Sequence, residues 1–508
     1  MTYFSVADWA VIGIYLLGVI ALGVGFGRDQ HNTRDYFLGS KNIPWWGIGL
    51  SIVAAETSAL TIIGVPGLAY RTNLGFIQMI LGYVIARLIL AVVMVPHYLK
   101  GEIYSPYELF ADRFGASARQ TAGALFLISE TLAAGVRVYV ACIPIQLMLG
   151  IAVLPAIVLF VALSLLYTYI GGVKAVIWTD AVQFGLFLAG GLFALYFIPT
   201  MVDGGWAGAW HTASQAAKLH WLNTQFTLGA PFNLWMGIIG GTVMVLSSHG
   251  AEQLIVQRVL ACRNVTDGRR ALTLSAVVIF PLFLIFLLVG VLLWVFYQAH
   301  PFQIPLPQPR PGIKSEDFVF PIFMITEVPS VLRGCLIVAI LSAAMSSVSS
   351  ALTSLASVST MDFVKGRHGR RSEAFYLKFS KYSTVFWAAA LIGVAYGSRE
   401  AESVLNAAFS LRGLTSGALV GGLFLAVFWK RGRPLALVSG MVSALAVMTA
   451  IQLLPRMKWS QAFWARWVGP EIFWPWFTLI GSVVTLAVAW LVSAVTGPKP
   501  TNATANEQ

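Results

Sequence analysis

Charge is what this sequence has least of. Only 11% of its 508 residues are charged while 58% are hydrophobic, and the mean hydropathy is +0.77. A water-soluble domain cannot cover that much apolar surface with so few ionised side chains, so the composition excludes a soluble fold and predicts a polytopic membrane protein. Cysteine is nearly absent: Cys142, Cys262 and Cys335 are scattered and odd in number, which leaves no disulfide framework and no metal-ligand spacing. The motifs of a membrane enzyme are missing too. There is no HExxH pair, no GxSxG elbow, no P-loop and no His/Cys cluster, so His249 reads as a packing or substrate contact rather than a nucleophile's base. The net charge of +12 forms no basic stripe with interleaved aromatics, so no nucleic-acid partner is expected. The opening MTYFSVADWA has no basic n-region, so no cleaved signal peptide is expected. No signalling module is read after residue 496, which argues against a sensor.

Long apolar runs are what the sequence does have. A helical span needs about 20 mostly apolar residues. Thirteen are read, at roughly 6–26, 45–66, 73–97, 118–148, 151–171, 176–200, 232–250, 270–298, 328–361, 379–398, 403–429, 434–454 and 473–496. The fold class expected is therefore all-α. Lysine and arginine favour cytoplasmic connections, which tests the map. With the N-terminus outside, twenty-one of them fall on the inner side, Arg258 included, and eight on the outer side. The odd span number places the C-terminus in the cytoplasm. One transmembrane domain over 1–496 is expected in the cell inner (plasma) membrane, with the lipid bilayer as its solvent and 497–508 as a disordered cytoplasmic tail.

Two spans look interrupted. The second carries Gly64, Pro66 and Gly67 at its end, and the seventh carries Gly240, Gly241 and Gly250. Interrupted helices at corresponding places in two halves point to an inverted-repeat transporter, although glycine and proline are common in membrane helices. Ionisable residues within spans cost roughly 2.5–3.5 kcal/mol at the bilayer centre and need a partner or a task. Glu56, Glu130 and Asp180 are the carboxylates; Arg87, Arg137 and Arg412 are the bases. Glu130 and Arg137 lie two turns apart on one face, a separation read as too long for contact. Arg137 has two readings: a structural pair with a carboxylate elsewhere, or a fork that holds an anionic substrate group. Arg87 and Arg412 read as snorkelling or packing residues. Glu56, beside the second-span break, could assist a cation, take a proton or pair with an arginine. Asp180 could be a helix N-terminal charge or a cation ligand.

The ninth span contains SAAMSSVSSALTSLASVSTMDF, with adjacent pairs at Ser346–Ser347 and Ser349–Ser350. Residues i, i+3 and i+4 share a helical face, so Ser346 lies beside Ser349 and Ser350. Helix packing accounts for most membrane serines. A stripe of neutral oxygens also suits a hard monovalent cation such as sodium.

With these residues the chain resembles the sodium/solute symporter family, whose members include sodium/galactose, sodium/proline, sodium/sialic acid and sodium-dependent vitamin or monocarboxylate transporters. The resemblance lies in KNIPWWGIGLSIVAAETSALTIIGVPG, IGGVKAVIWTDAVQF, EQLIVQRVLACRN and ILSAAMSSVSSALTSLASVSTMDF, in that order. It implies a LeuT-like fold with inverted repeats at about 45–200 and 231–430, and sodium-driven alternating access that imports a small organic solute. It implies one or two sodium ions. The first would be held by the carbonyls of Ala54, Thr57 and Ala343 and the hydroxyls of Ser346 and Ser347. The second would be held by Asp180, Ser349, Ser350 and the Ser346 carbonyl. Substrate contacts are expected by position at Ser58, Thr61, Gln78, Arg137 and Ser248, with Glu56 nearby. GVRVY resembles members that carry organic anions, so a carboxylate-bearing solute is expected. A sodium/sugar symporter and a proton-coupled carrier of the same fold are the alternatives.

Overall fold

The computed structural model describes residues 4–27, 30–229, 232–308, 314–366, 371–398, 402–429, 432–469 and 472–496. Among these, every regular element is a helix. In hydrocarbon, each backbone N–H and C=O must be satisfied within the protein, and a helix does this inside one segment. The main helices are α1 (Val6–Gly27), α2 (Trp45–Glu56), α3 (Ala59–Arg71), α4 (Ile77–Val93), α5 (Ala116–Leu149), α6 (Val153–Phe197) and α7 (Thr242–Gly250). They continue as α8 (Gln253–Leu260), α9 (Val265–Ala299), α10 (Leu332–Val358), α11 (Glu373–Gly397), α12 (Glu402–Phe428), α13 (Pro434–Leu453) and α14 (Phe477–Thr496). Eight helices among the described residues are long and apolar enough to cross a membrane, or nine when the bent pair α2–α3 counts as one. Helix α6 has 45 residues and is divided at Gly172, where φ is +54° and ψ is −154°. Unbroken, it would extend about 68 Å, more than twice the ~30 Å hydrocarbon layer. A positive φ is cheap for glycine alone.

Helix α10 is the buried axis. It packs on α6, α5, α1 and α11, and on both arms of α2–α3. Its start is fixed by α1: Asp8 Oδ1 accepts from the Val331 N–H at 2.9 Å and the Gly334 N–H at 3.1 Å. This satisfies donors that a helix N-terminus leaves open. Helix α9 lies along α2, α3 and α4, while α12, α13 and α14 pack on one another.

Both expected interruptions exist, each displaced from its glycine signal. Helix α2 ends at Glu56, because Thr57 (φ −80°, ψ 92°) and Ser58 (φ −85°, ψ 170°) are extended. The axis turns by 57° across them. Gly64, Pro66 and Gly67 lie inside α3 instead. Ser58 takes the N-cap position of α3, its carbonyl accepting from the Thr61 and Ile62 N–H groups at 2.9 and 3.2 Å. The second break falls at Ala251–Glu252, between α7 and α8, just after Gly250. Gly240 and Gly241 belong to a π-helical turn over Met236–Gly241 that precedes α7. This turn comes very close to α4: a Cβ on Gly82 of α4 would lie 2.1 Å from the Gly237 carbonyl oxygen, so these two backbones touch directly.

Helix α8 corrects the sequence map. QLIVQRVL is too short and too polar to register as a span, so Arg258 counts there as a charge in a cytoplasmic connection. In the structure α8 is the continuation of the broken seventh span, and Arg258 is only 1% exposed.

Candidate functional site

The two helix breaks face one cavity of about 720 Å³. Ala55 and Glu56 border it from the first break, Ser248, His249 and Glu252 from the second, and Tyr83 and Arg137 from α4 and α5. Pro455, Phe473 and Trp474, from the connection between α13 and α14, and Leu254 and Ile255 of α8 also line it. Its size suits a small organic molecule.

Two ion pairs stand at this cavity. Arg87 is fully buried and pairs with Glu56; it also donates to the Tyr83 carbonyl at 2.9 Å. His249 Nε2 lies 3.1 Å from the same guanidinium and 3.7 Å from Glu56, and its Nδ1 lies 2.9 Å from the Ser248 hydroxyl. Glu56 therefore takes the arginine-pairing option left open by its sequence, and His249 joins Arg87 and Glu56 in a polar trio rather than standing as a lone ring. The second pair is Arg137–Glu130, which corrects the expectation that they cannot touch. Seven residues of helix rise about 10.5 Å, and two extended long side chains span that gap. Arg412 lies outside the residues whose side chains are described.

Adjoining the cavity at Arg137 is a gap of about 10 Å³ bounded by Ser58, Arg137 and Ser347 among apolar neighbours that include Phe160, Ala344 and Val348. That is the room of one water or one bare ion. It sits beside the first set of expected sodium ligands. Ala54 and Thr57 are buried at the end of α2, and Ala343 is buried on the facing side of α10. Thr57 Oγ1 has no hydrogen-bond partner among the described residues. Ser347 Oγ donates to the Ala343 carbonyl at 3.1 Å. Ser346 turns the other way, as consecutive helical residues do: its hydroxyl donates to Asp180 Oδ1 at 2.6 Å. The structure thus brings Ser347 to the first set and the Ser346 hydroxyl to the second.

The second set is also assembled. Asp180, Ser349 and Ser350 are all buried completely. Ser349 Oγ and Ser350 Oγ donate to the Ser346 carbonyl at 3.0 and 2.6 Å. Sequence reading missed the partner. Arg258 Nη2 donates to Asp180 Oδ2 at 2.8 Å, and Ser51 Oγ donates to the same oxygen at 2.6 Å. The signal available was the cost of Asp180 itself, which demanded a cation; Arg258 lies 78 residues away, beyond any helical spacing. Among the described residues, no group of three or more His, Cys, Asp or Glu side chains could hold a metal ion. The donor sets are hydroxyls and carbonyls with a single carboxylate, which suits a hard monovalent cation.

The expected substrate contacts divide. Arg137 and Ser248 line the cavity, and Ser58 lines the adjoining gap. Thr61 lies in the first turn of α3 and Gln78 in the first turn of α4, and neither borders the cavity. Gln78 is buried and committed to backbone. It donates to the Gly75 and Phe232 carbonyls and accepts from the Asn223 N–H, at 3.0–3.2 Å.

Broken helices that meet at a cavity, with an ion-sized gap beside it, define a secondary transporter of the inverted-repeat, LeuT-like class. Residues 36–443 match the sodium:solute symporter family, and the chain belongs to it. It is a multi-pass membrane transporter, not an enzyme, and its partners are sodium and a transported solute. The chain is 31% identical to the sodium/sialic acid symporter SiaT of Proteus mirabilis (strain HI4320), over 88% of this chain and 90% of that one. It is 26% identical to the human sodium/iodide cotransporter, over 89% of this chain and 70% of that one. In structure it resembles a Na+-coupled sialic acid symporter in a substrate-bound, outward-open state, with a TM-score of 0.85 and 26% identity, covering 97% of this chain and 99% of that one. Mhp1, a nucleobase-cation-symport-1 family transporter, shares the fold at a TM-score of 0.57 and 14% identity, covering 92% and 96%.

Proposed function

We propose that this symporter imports a small organic anion whose carboxylate is taken by Arg137, in company with two sodium ions. The supporting observation is that Arg137 borders both the solute-sized cavity and the ion-sized gap. An anion on its fork would lie next to the first sodium, so each would lower the electrostatic cost of the other. Relatives named for sialic acid and for monocarboxylates favour an acid as solute. The first sodium is assigned to Ala54, Thr57, Ala343 and Ser347, whose neighbour Ser346 would have to turn from Asp180 to complete the set. The second is assigned to Asp180, Ser346, Ser349 and Ser350. Ser58 and Ser248 are assigned to the solute, together with Glu56 through its trio.

The same reading takes 1–496 as one transporter domain with repeats at about 45–200 and 231–430. It has thirteen crossings, the N-terminus outside and the C-terminus in the cytoplasm, in the inner (plasma) membrane. The test is a thermal-shift screen of the purified protein with carboxylates, amino acids and sugars, in sodium and in potassium. A ligand that binds only the folded state raises the melting temperature. A carboxylate that does so in sodium alone is the expected result. A shift given only by neutral sugars would sink the carboxylate assignment.

A further inference from the structure

Arg258 does more than neutralise a buried carboxylate. Its guanidinium is bound on every side: Nη2 to Asp180 Oδ2 at 2.8 Å and to Ser350 Oγ, Nε to Ser51 Oγ at 2.7 Å, and Nη1 to the Leu254 carbonyl at 2.6 Å. Arg258, Asp180, Ser51 and Ser350 are each at most 1% exposed. Asp180 and Ser350 are two of the groups assigned above to the second sodium. One cation already sits on the oxygens that another is expected to use.

We infer that Arg258 is a tethered cation that exchanges with sodium at Asp180: the guanidinium holds the carboxylate when sodium is away, and sodium's arrival displaces it. The inference rests on the reading of Asp180, Ser346, Ser349 and Ser350 as a sodium site. Its physical basis is that a buried carboxylate stripped of its only cation is strongly disfavoured, while two cations on one buried carboxylate leave an uncompensated positive charge. The favourable states therefore hold one cation at a time.

The exchange reaches beyond the ion. Three of the guanidinium's four contacts are to other helices: Ser51 on α2, Asp180 on α6 and Ser350 on α10. Only Leu254 belongs to α8 itself. Displacement cuts the guanidinium's ties from α8 to those three helices and leaves Arg258 attached to its own turn, with Gln253 Nε2 still donating to Ser357 Oγ of α10 at 3.1 Å. Leu254 and Ile255, one turn away, line the cavity. Sodium at the second site thus loosens the α8 side of the cavity, and the guanidinium tightens it again.

The test uses full-length purified protein, its melting temperature read against sodium concentration with potassium making up the ionic strength. Arg258→Met removes the competitor. It lowers the melting temperature in potassium, and it lowers the sodium concentration giving the half-maximal shift by about tenfold, the change expected when ~1.4 kcal/mol of competition is removed. Arg258→Lys keeps a charge without the fork and shifts the same way by less; it serves if Arg258→Met does not fold. The double variant Asp180→Asn/Arg258→Met, which buries neither charge, regains stability in potassium and loses the added sodium response. If whichever Arg258 variant folds responds to sodium no more strongly than the parent, the exchange is refuted. Asp180→Asn separates the two failures. A full parental sodium response in that variant removes the second sodium site itself, and the inference with it. A reduced response, with no gain in the Arg258 variants, removes the exchange alone.

Discussion

At the scale of the residue, the informative pair is Arg137–Glu130. Glu130 is 2% exposed, so the arginine fork reaches the cavity with an internal carboxylate already on it. A solute carboxylate must compete with that oxygen. Arg137→Lys keeps the charge but cannot hold two acceptors in one plane. It is expected to weaken binding of a carboxylate solute by about tenfold or more, equivalent to at least ~1.4 kcal/mol, with sodium-induced stabilisation retained. Glu130→Gln removes the competitor, so solute binding is expected to tighten while the ligand-free protein melts lower, because a buried cation has lost its partner. Calorimetric titration of both variants with the solute checks the opposite signs. Equal weakening in both would show that the pair only braces α5.

Residue-scale legibility follows from contrast. Asp180 and the paired serines stand out in the sequence because polar groups are expensive in an apolar helix. Arg258 does not stand out, since arginine is ordinary in a cytoplasmic connection, and only the tertiary fold shows that it is inside. The Arg137–Glu130 contact was misjudged because backbone spacing was weighed without side-chain length. Gln78 looks like a substrate amide from its position, yet its three hydrogen bonds hold the segment around Asn223 and Phe232 against the start of α4.

At the scale of the element, α10 divides its labour by helical angle. Ser347 faces the gap beside Ser58, and Ser346 faces Asp180. The two alanine substitutions should therefore separate. Ser347→Ala is expected to raise the sodium concentration needed for half-maximal uptake several-fold, with the parent's ion-to-solute ratio unchanged. Ser346→Ala is expected to disturb the Asp180 set as well and so to alter the ratio. Sodium-dependent uptake into proteoliposomes measures both. Identical behaviour of the two variants would remove the assignment by face. The breaks were legible as existing and illegible as to place. Glycine and proline advertise irregular backbone, but Pro66 is tolerated within α3, and the chain opens where the Thr57 and Ser58 backbone turns extended. Helix α8, at eight residues, is below the length that hydropathy can register.

At the scale of the whole molecule, the two proposed sodium sets, on the adjacent residues Ser346 and Ser347, make a stoichiometric claim. The membrane voltage at which transport reverses, under fixed sodium and solute gradients, is expected to report two sodium ions per solute. Asp180→Asn is expected to move that value toward one, or to uncouple transport. A parental ratio of one would return Ser349 and Ser350 to helix packing, and leave Arg258 as the permanent counter-charge of Asp180.

The contact of Gly82 with Gly237 also has a mechanical consequence. Two backbones that touch without side chains between them have no rotamers with which to absorb a change in spacing, so α4 and the turn before α7 are held at a fixed distance. Flexing is then left to Thr57–Ser58, Ala251–Glu252 and Gly172, where the helical geometry is already broken. A side chain larger than hydrogen at Gly82 would push the two elements apart, and the strain would fall on those breaks.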